Sequence, residues 1–150
     1  MSGIYAEVIG DPISHSKSPK MHRFWLEKAG IEADYRACHV LPADLPAYVE
    51  QRRDDPNWRG CNVTIPHKEA ILKIADVISD RAALIGAANT LIFRKDGKIH
   101  ADNTDGAGFV ANLRQNAPGW NPAAGPAAVL GAGGASRAVV AALIEVGAPE

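Results

Sequence analysis

The segment Gly60-Cys61-Asn62-Val63-Thr64-Ile65-Pro66-His67-Lys68 constrains this chain more than any other stretch. From Cys61 to Ile65 apolar and polar residues alternate, with Cys61, Val63 and Ile65 set against Asn62 and Thr64. That alternation marks a strand with one buried face. Pro66 ends such a strand and suits the first turn of a helix, where its missing N–H costs nothing. The spacing of Ile71, Ile74, Ala75 and Ile78 predicts that helix. Lys68 then falls in its first turn, at the positive end of the helix dipole, where a cation is disfavoured. Asn62 and Thr64 lean away from the core. A polar strand face running into an unfavourably placed lysine points to a site; the plainer alternative is a solvated lysine.

The remaining elements alternate in type. Residues 4–10 read as a first strand, and a turn-rich loop carries Ser14, His15 and Ser16. Ser18 as N-cap and Pro19 at the first position open a helix that places Met21, Phe24, Trp25 and Ala29 on one face and stops at Gly30. Residues 35–40 read as a second strand. Asp44 can cap a helix to about Arg53 with Leu45, Tyr48 and Val49 inward, and a short helix is expected near 80–85. Asp96-Gly97 lies between two strand patterns, 91–94 and 98–101, and predicts a hairpin. A helix from Thr104 carries Phe109, Val110 and Leu113. After a Pro/Gly/Ala-rich loop at 118–126, residues 127–130 read as a strand and 137–146 as an apolar helix. Alternating strands and helices predict an α/β fold with a mostly parallel sheet. One strand–helix unit at the end of the chain leaves the strand's edges unpaired, so a polypeptide continuing past Glu150 is expected.

Charge excludes some functions. The net charge is −1, and Arg52-Arg53 is followed at once by Asp54-Asp55, which gives no electrostatic case for nucleic acid or an anionic membrane. No apolar run approaches the roughly 18 residues of a membrane span, and the N-terminus lacks signal-peptide character. Cys38 and Cys61 sit in apolar strand patterns and read as reduced thiols. A cytoplasmic protein is the expectation. The five histidines show no metal spacing, so no metal site is expected.

Residues 131–136, Gly-Ala-Gly-Gly-Ala-Ser, have the strand–turn–helix setting of a dinucleotide fold, although Ser136 replaces the third glycine of the usual pattern. Gly131 permits the turn and Gly133 lets a pyrophosphate approach the helix N-terminus. Asp105, Ser14, Ser16 and Asn89 each have a plain reading as cap or turn residues.

As a set, these motifs resemble the shikimate dehydrogenase family. They are Ser14-His15-Ser16-Lys17-Ser18-Pro19, Asn62 to Lys68, Gly86-Ala87-Ala88-Asn89-Thr90-Leu91, Asp102-Asn103-Thr104-Asp105-Gly106 and Gly131 to Arg137, in the family's order and spacing. The resemblance implies a substrate-binding domain at 1–103, a connecting helix at 104–118 and, at 119–150, the incomplete start of a Rossmann-like, NADP-binding domain. It implies NADP-dependent reversible reduction of 3-dehydroshikimate to shikimate. Ser14 and Ser16 would meet the substrate carboxylate; Thr64, Lys68, Asn89 and Asp105 would hold the ring hydroxyls and the reacting oxygen, with Asn62 a further candidate. Lys68 would transfer the proton and Asp105 would orient it, the helix end favouring the neutral amine and the carboxylate the ammonium. Gly131, Ala132, Gly133, Gly134 and Ala135 would hold the cofactor's pyrophosphate, with Asp80 on the nicotinamide side. The residues choosing NADP over NAD are expected beyond Glu150, so the 150-residue chain alone is expected to be inactive. A homodimer is compatible with the resemblance. Two alternatives stay open: a quinate/shikimate dehydrogenase using NAD, against which the Ser14-x-Ser16 pair weighs, and a non-catalytic ligand-binding module, against which the Lys68 and Asp105 pair weighs.

Overall fold

The structure, a computed structural model, describes residues 3–149. Strand β1 (Tyr5–Gly10) is buried along almost its whole length and lies between two parallel partners, β2 (Asp34–His39) and β3 (Trp58–Val63). A near-continuous apolar strand such as Val8-Ile9-Gly10 is what a covered parallel position demands. β5 (Thr90–Phe93) adds antiparallel to β3, β6 (Ile99–Asp102) antiparallel to β5, and the short β4 (Val77–Ile78) parallel to β6. The order is β2-β1-β3-β5-β6-β4, and β5 alone runs against the other strands. The predicted α/β architecture with a mostly parallel sheet is therefore the observed one.

Among the described residues three α-helices lie between strands, α1 (Ser18–Lys28), α2 (Leu45–Arg53) and α3 (Asp80–Ile85), and two follow the last strand, α4 (Asp105–Asn116) and α5 (Gly134–Glu145). α2 turns Leu45, Tyr48 and Val49 inward, as its spacing predicts, against a core that includes Ile9, Trp58, Val63 and Ile71. Each large side chain buried in this way contributes roughly 1.5–3 kcal/mol. The Asp96-Gly97 turn and its two flanking strands form the predicted hairpin.

Several local expectations give way to tertiary structure. No α-helix follows Pro66. The chain turns through 65–69, makes one 3-10 turn at Ala70–Lys73 and then enters β4. Ile71 reaches the core from the 3-10 turn, while Asp76 N–H bonds the Ile99 carbonyl at 3.0 Å and draws the following residues onto the sheet edge beside β6. Pairing with β6 thus takes the residues a helix would have used. Ile65 is 71% exposed because the strand ends at Val63 and the Ile65 carbonyl accepts from Asp11 N–H.

At α1, Ser18 lies inside the helix and Lys17 takes the N-cap position without a side-chain cap; the Ser16 hydroxyl accepts from Ser18 N–H at 3.3 Å. Met21, Phe24 and Trp25 remain exposed. Asp44 occupies the N-cap position of α2 after a 3-10 turn at Pro42–Asp44, but makes no capping bond. Residues 127–130 form no strand, because no neighbouring strand among the described residues offers them a ladder; Leu130 is 99% exposed. α5 begins at Gly134, three residues before the predicted start, and so takes in Ala135 and Ser136.

Candidate active site

The sheet brings chemistry-bearing loops to one edge. β1, β3 and β6 end there, and antiparallel β5 begins there, since Asn62 pairs with Thr90 and Thr90 with Asp102. The loops carrying Ser14 and Ser16, Thr64 to Lys68, Asn89, and Asn103 to Asp105 therefore emerge side by side. Crevices outside the carboxyl ends of strands are where open α/β sheets bind ligands.

Lys68 and Asp105, 37 residues apart in sequence, meet directly: Nζ donates to Asp105 Oδ2 at 2.5 Å. Both side chains are partly buried. The Asn89 amide donates from Nδ2 to the other carboxylate oxygen, Oδ1, at 2.8 Å, and to Thr104 Oγ1 at 2.9 Å. Thr104 N–H returns a bond to Asn89 Oδ1 at 3.1 Å. Asp105 opens α4, where the helix end favours an acid. Lys68 sits in a turn, so the conflict with its own helix's dipole does not arise.

That turn is anchored by a residue whose role the sequence did not disclose. His67 is buried, and its Nε2 donates to the Val40 carbonyl at 2.7 Å. Asn62, by contrast, is engaged elsewhere: the Tyr35 hydroxyl donates to its Oδ1 at 2.5 Å, and it lines a groove on the sheet face together with His22 and Leu26.

Behind the pair, Asp102 fixes the end of β6. Its carboxylate accepts from Arg81, Ser79 Oγ and Asn103 N–H, and the Arg81 guanidinium holds it well below the ordinary carboxylate range despite partial burial. Thr104 and Asn103, quoted in the motif without a role, are the other residues sequence reasoning passed over. Only their place beside Asp105 could have drawn attention to them.

The glycine turn faces this edge. Thr64 and Lys68 line one side of a hollow of about 470 Å³, and Gly133, Gly134, Ala135 and Ser136 line the other. A Cβ on Gly134 would stand 3.1 Å from Lys68 Cβ, so a side chain there would press on Lys68 and glycine eases the close approach of α5. Gly131 has φ +115, which a side chain would strain, and Gly133 faces open space. An exposed turn with nothing larger than the Ala132 methyl, ahead of a helix N-terminus, fits a dinucleotide pyrophosphate. Ser14 is exposed and Ser16 partly buried; neither lines the hollow. Asp80 is exposed in the first turn of α3, a position favoured for any acid, and also lies outside that lining.

Comparison with known proteins shows the family and the fold. The family model for the shikimate dehydrogenase substrate binding domain matches residues 8–91, more than half of the chain. A shikimate dehydrogenase (NADP(+)) of Cereibacter sphaeroides is 64% identical over 145 residues, covering 97% of this chain and 52% of the relative. One from Paracoccus denitrificans is 62% identical, covering 97% and 51%. The shikimate 5-dehydrogenase of Thermus thermophilus, solved in complex with NADP(H) and shikimate, superposes with a TM-score of 0.86 at 43% identity, over 96% of this chain and 53% of that one. The chain thus spans about half the length of the relatives it matches. With 8–91 matched and the edge of the sheet built as described, the chain belongs to the shikimate dehydrogenase family.

Proposed function

We propose that the full-length natural protein catalyses the reversible, NADP-dependent reduction of 3-dehydroshikimate to shikimate, a step toward chorismate and the aromatic amino acids. The observation that carries this reading is the Lys68–Asp105 contact, whose Lys68 end lines a hollow shared with the glycine turn while Asp105 lies outside that lining. The relatives that are 62–64% identical are shikimate dehydrogenases using NADP(+), which supports both substrate and cofactor.

In this reading residues 1–103 bind substrate, 104–118 form the connecting helix and 119–150 begin the dinucleotide-binding domain. The bound cofactor supplies hydride. As the carbonyl carbon accepts it, the C=O electron pair moves to oxygen, and Lys68 passes a proton to that oxygen. In the oxidative direction Lys68 takes the proton back. Asp105 holds Lys68 in place and accepts from a ring hydroxyl. Asn89 and Thr64 hold the remaining hydroxyls, and the hydroxyls of Ser14 and Ser16 donate to the substrate carboxylate. Gly131 to Ala135 offer backbone N–H groups to the pyrophosphate. Asp80, on a helix packed against α5, completes the cofactor side. The free thiols of Cys38 and Cys61 support a cytoplasmic location, and the exposed apolar residues of α1 support a homodimer.

The test is turnover of shikimate and NADP by the full-length protein and its Lys68→Ala variant. Loss of a proton-transfer group predicts a fall of roughly 10²–10⁴-fold in kcat, with the KM for shikimate changed only a few-fold. Near-normal turnover in the variant would overturn the mechanism.

A further inference from the structure

Asn103 is 2% exposed and lies between β6 and α4. A primary amide buried this deeply must have both ends satisfied, and here both are spent on main chain. Nδ2 donates to the Ala87 carbonyl at 2.8 Å, and Oδ1 accepts from Asp105 N–H at 3.0 Å. The next residue along from Ala87, Ala88, donates its N–H to the Lys68 carbonyl at 2.8 Å. One side chain therefore closes a path from the backbone of Lys68, through the turn at 87–88, to the backbone of Asp105. Ala87 and Ala88 are completely buried, so that turn has no freedom to follow if the tie is cut.

We propose that Asn103 is the positioning residue of the Lys68–Asp105 pair: it touches neither functional group, yet sets the separation of the two backbones that carry them. Asn89 cannot do this alone: its one side-chain bond to main chain is from Thr104 N–H, not from the backbone of Lys68 or Asp105, and its bonds to the Asp105 and Thr104 side chains are only partly shielded from water. Asp102 cannot do it either: its carboxylate bonds Arg81, Ser79 and Asn103 N–H, and its carbonyl meets the chain at Asn89, one residue past the turn at 87–88. The inference rests on the reading of Lys68 as the proton-transfer group.

Asn103→Ala removes both bonds; Asn103→Asp keeps an acceptor for Asp105 N–H but places an oxygen against the Ala87 carbonyl. In the full-length protein, the Ala variant should lose about 10²-fold in kcat, the scale of an ångström's misplacement, with the KM for shikimate within about threefold. The Asp variant should fall between the Ala variant and the wild type. Each substitution is also made in the Lys68→Ala background, where a residue acting through Lys68 should cost less than about threefold more. Equal losses in both backgrounds would mark Asn103 as merely structural and overturn the proposal. So would wild-type kcat in either single variant. Should Asn103→Ala fail to fold by circular dichroism, the Asp variant decides by the same criteria. A Lys68→Ala enzyme with normal turnover would instead remove the functional reading itself, an outcome separate from any result at position 103.

Discussion

Glu7 brings a carboxyl into the sheet at 3% exposure, opposite Cys61 on β3. It is satisfied there by a two-point contact from Arg52, with Nε 2.7 Å from Oε2 and Nη2 3.0 Å from Oε1, and by the Tyr48 hydroxyl at 2.7 Å. The same contact raises the Arg52 guanidinium further above its ordinary range, and burial pushes the Tyr48 hydroxyl up. Removing one partner leaves the other buried without compensation, at about 3–5 kcal/mol. Because Arg52 retains some exposure, Arg52→Ala should destabilise the full-length protein by about 3 kcal/mol in urea unfolding, and Arg52→Lys, which loses the fork geometry, by less. A loss under about 1 kcal/mol for the Ala variant would mean that water reaches Glu7. Nothing in the sequence gives this network away, since an isolated glutamate in a strand reads as one polar position in an alternation. Lys68 illustrates the opposite case. The motif singles it out and the structure sets it against Asp105, whereas the helix predicted around it is absent, because Ile71 and Ile74 satisfy a helical spacing and a 3-10 turn equally well.

At the scale of elements, the end of β6 depends on a carboxylate. Arg81 holds Asp102 well below the ordinary aspartate range, with help from Ser79 and Asn103 N–H. A carboxyl depressed in the folded state adds stability above its unfolded value, and loses that contribution as pH falls through the ordinary range toward the lowered one. Arg81→Ala should therefore be less stable than the wild type at about pH 7, and the gap in denaturation midpoint should narrow as pH is lowered from about 4 toward about 2.5. A gap independent of pH would assign the loss to packing of the Arg81 stem instead. The hairpin leading into this strand was readable because its signal is local, Asp96-Gly97 between two alternating runs. The uncovered face of α1 and the missing strand at 127–130 were not, for a related reason. Periodicity says which residues share a face or an edge; only the neighbouring element decides whether that face is covered or that edge paired.

At the scale of the molecule, the glycine turn meets Lys68 only because α5 lies close along α4. Gly106, in the first turn of α4, makes that approach possible: a Cβ there would stand 2.8 Å from the Ala138 carbonyl oxygen and 3.1 Å from Ala142 Cβ. Arg137 adds an ion pair to Glu69 at 3.2 Å, but both ends are about half exposed, so its contribution is small. The backbone approach at Gly106 is thus the stronger constraint on where α5 sits. An alanine at 106 meets a main-chain oxygen that cannot rotate away, so α5 must shift outward and take Gly133 and Gly134 with it. Overpacking of this kind costs about 1–3 kcal/mol. In the full-length protein, Gly106→Ala should therefore lower the unfolding midpoint and raise the KM for NADP several-fold, while the KM for shikimate changes less, since the residues proposed to hold it, Ser14, Ser16 and Thr64, stand in the loops that follow β1 and β3. If both KM values rose together, α5 would be a support of the whole crevice; if neither moved, the two helices would have room to adjust without disturbing the glycine turn, and the coupling between them and the nucleotide side would not exist.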